Sequence, residues 1–91
     1  MGTIRKKSKY TTMIDKIIDK YEFETFTKAD GFDDAIIGVE NQDMRLVYSI
    51  SKCIEILCKD MSYEEALDHF GYNVMNTYIG EKTPIFIDDD F

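Results

Sequence analysis

Histidine and cysteine are scarce in this chain: of 91 residues, one is histidine, His69, and two are cysteine, Cys53 and Cys58. A structural zinc site needs several such ligands at short spacing, and a redox pair needs a CxxC; a separation of five residues supplies neither. On one helix, at about 100° per residue, the two thiols would sit about 140° apart around the axis, which disfavours a bond between them. They are expected to be reduced, core-packed thiols of a cytoplasmic protein. Glycines at Gly31, Gly38, Gly71 and Gly80 are scattered, and there is no GxGxxG, Walker or GxSxG motif, so no phosphate-cradling loop is visible. No apolar run approaches the length of a membrane span, about 18–20 residues, and the basic start leads into Tyr10-Thr11-Thr12-Met13 rather than an apolar signal stretch. Neither membrane insertion nor export is expected.

Positive charge is scarce too, and it is unevenly placed. Arg5, Lys6, Lys7 and Lys9 cluster at the start, whereas Tyr10 to Phe91 holds all eighteen acids against seven bases, a balance of −11. Such a body repels phosphate backbones and favours basic partners, including grooves that ordinarily hold nucleic acid. Direct nucleic-acid binding by the folded body is therefore not expected. Residues 1–9 are expected to form a basic flexible arm, and residues 10–91 a single acidic domain. With 44% of the whole chain hydrophobic, that domain has material for one core without a metal or cofactor.

Periodicity divides the chain into six elements. Apolar residues at Met13, Ile14, Ile17, Ile18 and Tyr21 follow helical spacing, with Asp15, Lys16, Asp19 and Lys20 opposite. Glu22 to Thr27 reads as a connector or short edge strand. Ala35 to Val39 and Leu46 to Tyr48, rich in β-branched residues and separated by a polar loop, predict a hairpin, with Gly38 marking a bulge or a close approach. Ile50, Cys53, Ile54, Leu57, Cys58 and Met61 predict a second helix, capped by Ser49 or Ser51. Ser62-Tyr63-Glu64-Glu65 is a capping box, so a third helix starts at Ser62, with Met61 and Ala66 as its staple and Ala66, Leu67, Phe70, Val74 and Tyr78 as its buried face. Gly80 is the natural stop, and Thr83 to Ile87 reads as a last strand entered through Pro84. The fold expected is α+β in the order αββααβ, a small, mainly antiparallel sheet packed by helices. Asp88, Asp89 and Asp90 read as a frayed, charged tail.

Few of these residues suggest chemistry. Asp30, Asp33 and Asp34 have the composition of a solvated turn and lack the ligand ladder of a calcium loop. A Cys–His hydrolase would need His69 beside a thiol together with an orienting group and an oxyanion hole, and His69 reads instead as a helix-edge residue. The aromatics Tyr10, Tyr21, Phe23, Phe26, Tyr63, Phe70, Tyr72 and Tyr78 read mainly as core, because base-stacking modules pair aromatics with a basic groove. Surface tyrosines would instead anchor a protein interface. No enzymatic activity, metal or cofactor is expected.

The runs Asp30-Gly31-Phe32-Asp33-Asp34-Ala35-Ile36-Ile37-Gly38-Val39, Arg45-Leu46-Val47-Tyr48-Ser49, Met61-Ser62-Tyr63-Glu64-Glu65-Ala66 and Gly80-Glu81-Lys82-Thr83-Pro84-Ile85-Phe86 resemble a group of small, mostly uncharacterised tailed-bacteriophage proteins. The resemblance spans about two-thirds of the chain and brings no catalytic residue with it. It implies an accessory factor in the host cytoplasm that binds and inhibits or redirects a host protein, such as a defence nuclease of the CRISPR type, by occupying its basic surface. The partner-binding residues expected are Asp30, Asp33, Asp34, Asp43, Glu64, Glu65 and Asp68. A nucleotide-sequestering sponge, which would need an electropositive pocket at an oligomer interface, and a structural or regulatory phage protein without a defence role are the alternatives. A homo-oligomer is compatible with each of these.

Overall fold

The computed structural model describes residues 12–75 and 80–91. The arm expected over residues 1–9, Tyr10, and the core position expected for Tyr78 lie outside the described residues. The elements run helix α1 (Met13–Lys20), strand β1 (Ile36–Glu40), strand β2 (Arg45–Ser49), helix α2 (Ile50–Leu57), helix α3 (Tyr63–His69) and strand β3 (Ile85–Ile87). The αββααβ order is thus present in one compact α+β domain. The three strands lie in the order β1-β2-β3, with β1 antiparallel and β3 parallel to β2, so the sheet is mixed.

Each helix start has a polar cause. Thr12 Oγ1 accepts the Asp15 amide at 3.4 Å and begins α1. Ile14 and Ile17 of that helix are buried, while Met13 and Ile18, expected on the same face, are exposed. Eight residues offer the sheet only a narrow stripe, and among the described residues the flanks of the apolar arc are left uncovered. The segment after α1 stays irregular, with Phe23 in solvent and Phe26 packed edge-on to Tyr21. It is pinned at Ala29, whose amide donates to the Tyr48 hydroxyl at 2.8 Å inside the core. Gly31, at φ +90°, then makes the turn that brings in Phe32 and the single 3₁₀ turn Asp33–Ala35, since that backbone region suits glycine.

The hairpin forms as expected. Its register slips between Ile36 and Gly38, a bulge that leaves Ile37 as the extra residue. At the tip, the Glu40 carboxylate accepts the amides of Gln42 and Asp43 at 2.7 and 3.1 Å, and Met44 takes the left-handed conformation. Ile36, Tyr48 and Phe86 form one row across the sheet. The Phe86 ring lies 5.3 Å from that of Tyr48 and 5.3 Å from that of Phe70, edge-on in the second case. This row, with Leu46, Ala35, Phe32, Cys53, Ile54, Ala66 and Val74, forms the core.

The strand-to-helix junction at Ser49/Ile50 has no loop at all: Ser49 ends β2 and caps α2, accepting the Lys52 amide at 3.2 Å. Between α2 and α3 the chain breaks where expected. Ser62 Oγ accepts the Glu65 amide at 3.2 Å and the Glu65 carboxylate accepts the Ser62 amide at 3.0 Å, completing the capping box. Beyond His69 the helix widens into a π turn over Phe70–Val74, closed by the Met75 amide donating to the Phe70 carbonyl at 3.0 Å. The widening takes in Gly71, a residue that holds a helix weakly. Arg45 Nε donates to the Thr83 carbonyl at 2.7 Å, tying the approach to β3 to the start of β2.

Two burial expectations and one of fraying are corrected here. Leu67 is 44% exposed. Of the described residues of the expected α3 face, Ala66 and, in the π turn that follows, Phe70 and Val74 are inside, because the helix meets the core along one line. Cys58 is exposed at the end of α2, whereas Cys53 is fully buried. Asp88 to Asp90 are not a frayed tail: Asp89 Oδ1 accepts from Ser49 Oγ at 2.7 Å and lies 3.3 Å from Ser51 Oγ.

Candidate functional site

The seven carboxylates expected to bind a partner fall on three separate parts of the surface. Asp30 lies in the turn after Ala29, Asp33 and Asp34 in the 3₁₀ turn, Asp43 in the hairpin tip, and Glu64, Glu65 and Asp68 on α3. Two of the seven already have work inside the fold. Asp33 pairs with Lys28 Nζ at 3.1 Å, and Glu65 closes the capping box, where the Ser62 amide and then the Ser62 hydroxyl hold its carboxyl below the usual range. Among the described residues, Asp30, Asp34, Asp43, Glu64 and Asp68 have no side-chain ion pair. The 3₁₀ region is nevertheless of mixed sign: Lys28 and Lys59 share one hollow with Asp33 and Asp34, and Lys52 and Lys59 share another with Asp34. Among the described residues, Asp30, Asp43 on the hairpin tip, and Glu64 and Asp68 on α3 are the acids of the seven that have neither an ion pair nor a lysine in a shared hollow.

A groove that sequence reasoning missed runs between α2, α3 and the segment after β3, with a volume of about 600 Å³. Its apolar lining comes from Ile50 and Ile54 on α2 and Tyr63 and Leu67 on α3, with Cys58 beside them. Glu55, Asp88 and Asp90 supply its charge, and among the described residues no basic side chain lines it. Asp89 explains this placement: its bond to Ser49 fixes the middle of the three aspartates, and the two flanking ones line the groove. The Ser49 hydroxyl bond, ahead of smaller contributions, holds the Asp89 carboxyl below the usual range. The signal was present in the pattern of α2, where only Ser51, Lys52 and Glu55 among Ile50–Leu57 are polar, more apolar surface than one sheet face can cover.

The groups considered for chemistry are placed as follows. Burial pushes the Cys53 thiol up to about 12, so at neutral pH it is a protonated packing residue. His69 Nδ1 lies 3.3 Å from Asn73 Nδ2, one turn along the same helix. Among the described residues no group of three or more His, Cys, Asp or Glu side chains is arranged to hold a metal ion, and no helix is long and apolar enough to cross a membrane. Tyr63 and Tyr72 are exposed, whereas Phe70 belongs to the core. Comparison with protein-family models, with curated proteins and with solved structures yields no match to this chain.

Proposed function

We propose that this protein is a phage accessory factor that acts by binding: its acidic body occupies a basic surface of a host protein in the host cytoplasm and inhibits or redirects it. A defence nuclease is the class of target whose nucleic-acid groove has the complementary charge. The observation that carries this reading is the set of carboxylates without a basic partner among the described residues, Asp43, Glu64 and Asp68 foremost, on a body that holds eighteen acids and seven bases. Held on a hairpin tip and a capped helix, these charges are presented without the fold having to reorganise, which is the condition for steering a basic partner into register.

Capture of host proteins on the tagged chain, followed by mass spectrometry, tests this. The expected partner is retained at about 0.1 M salt and released at about 0.5 M, where the Debye length has fallen to about 4 Å. Reversing Asp43, Glu64 and Asp68 to lysine should weaken its capture. A partner indifferent both to salt and to those reversals would refute recognition by charge.

A further inference from the structure

The geometry points to the groove between α2 and α3 as the docking site for an amphipathic, basic helix of a partner protein. This deepens the reading of the protein as a binder of basic surfaces and rests on it, but it names a different contact face and a different chemistry. Two rows of apolar side chains one helical turn apart, Ile50 and Ile54 on α2 and Tyr63 and Leu67 on α3, line the trough. From Ile50 to Cys58 the groove follows α2 for about 12 Å at 1.5 Å per residue, room for about two turns of a ligand helix. Rows at this spacing accept the ridge that residues three and four apart raise on another helix.

The occupant's charge follows from what lines the trough. Among the described residues Glu55, Asp88 and Asp90 are its charged residues, in contrast to the hollows around Asp33 and Asp34, where lysines stand among the acids. An apolar ligand face alone would leave these three carboxylates facing it unmatched; lysine or arginine flanking that face would meet them. At 62% and 44% exposure, Tyr63 and Leu67 retain substantial area to bury, and tyrosine supplies it at little entropic cost. The Asp89 bond to Ser49 holds the tail that carries Asp88 and Asp90 before any ligand arrives. Asp90 also donates its amide to the Asp88 carboxylate at 3.4 Å, which orders the tail further.

The probe is a fluorescein-labelled helical peptide of leucine and lysine, about 15 residues long, the length at which a lone helix begins to hold in water. A second peptide with glutamate in place of lysine is its control. Titrated against the full chain, the basic peptide should bind and shift the amide NMR signals of Ile54, Glu55 and Leu67, and the acidic peptide should not. Leu67→Glu and the pair Asp88→Lys with Asp90→Lys should each weaken binding about tenfold, as expected for central interface positions. Asp19→Lys, on α1, should leave it unchanged. Leu67→Ser serves in place of Leu67→Glu if melting shows the latter to be unfolded. Equal losses from Asp19→Lys and from the groove reversals would mean diffuse attraction and overturn the proposal. Signal changes confined to the hairpin tip would do so as well, as would a dimer in ultracentrifugation that Leu67→Glu dissolves, since the groove would then serve a second copy. If a captured host partner is salt-sensitive and responds to reversal of Asp43, Glu64 and Asp68 but ignores Leu67→Glu, the acidic-binder reading stands and the groove assignment falls.

Discussion

The N-termini of α2 and α3 solve the same problem with the same residue and opposite strategies. Each helix begins at a serine whose hydroxyl accepts an amide three residues on, Lys52 for Ser49 and Glu65 for Ser62. At Ser62 the second partner is local, since the Glu65 carboxylate returns to the Ser62 amide and the whole device sits in solvent. At Ser49 it is remote: the fully buried hydroxyl also donates to Asp89, forty residues away, and so binds the end of the chain to the start of a helix. The first cap orders one helix. The second joins β2, α2 and the tail after β3 and thereby shapes the groove.

The largest effect should come from the residue beside Ser49. Tyr48 is fully buried, and its hydroxyl is the acceptor for the Ala29 amide, nineteen residues away, so it too links distant segments. Tyr48→Phe keeps the ring packing and leaves that amide in the core without its partner, a loss of about 1–3 kcal/mol. Chemical denaturation should show the midpoint fall with an unchanged slope. A variant as stable as the parent would mean that the Ala29 turn relaxes to water at no cost, and the long-range bonds would lose their claim to primacy.

Ser49→Ala and Ser62→Ala then compare the two caps directly. Both remove an N-cap, for which about 1 kcal/mol is typical and about 2 the upper range. Ser62→Ala should sit near the typical value, because water reaches the freed amide. Ser49→Ala should sit at the upper end and should also release the tail, seen as faster amide exchange over residues 85–91. Equal costs with a protected tail would show Asp89 to be held by something other than Ser49.

The same contrast marks where sequence reading stops. Ser62-Tyr63-Glu64-Glu65 carries both halves of its device within four residues, and the bulge at Gly38 lies in the strand that reports it. Nothing near Asp89 points to Ser49, since the pairing exists only once β3 has aligned parallel to β2 with Ile87 opposite Ser49. Leu67 failed as a core residue for a related reason: periodicity places it on an apolar stripe, but burial depends on what the tertiary fold puts opposite. The charges of the candidate surface were legible as charges. That Lys28 neutralises Asp33, or that Lys52 and Lys59 stand close to Asp34, was not, because the first depends on the turn between residues 28 and 33 and the second on how the 3₁₀ turn meets α2.

Acid should separate the two caps most finely. Both partner carboxyls are held below their ordinary values, Asp89 by the Ser49 hydroxyl first and Glu65 by the Ser62 amide first. A carboxyl with a lowered folded-state value adds stability that is fully present above the unfolded-state value, about 4, and is lost as pH falls through the lowered one. Both contributions should therefore be intact at neutral pH and fade below about pH 4, with little change in global stability because both carboxylates are solvent-exposed. The structural consequences should differ. Protonating Glu65 frays the first turn of α3, read from the amide signals of Tyr63 to Ala66, whereas protonating Asp89 frees the tail and moves signals at Ser49, Ser51 and Ile87 together. Asp89→Asn should remove the acid response at those three positions and leave that of α3 in place. If the tail signals of Asp89→Asn still moved with pH as in the parent, the aspartate would not be the group that joins the two ends of the fold.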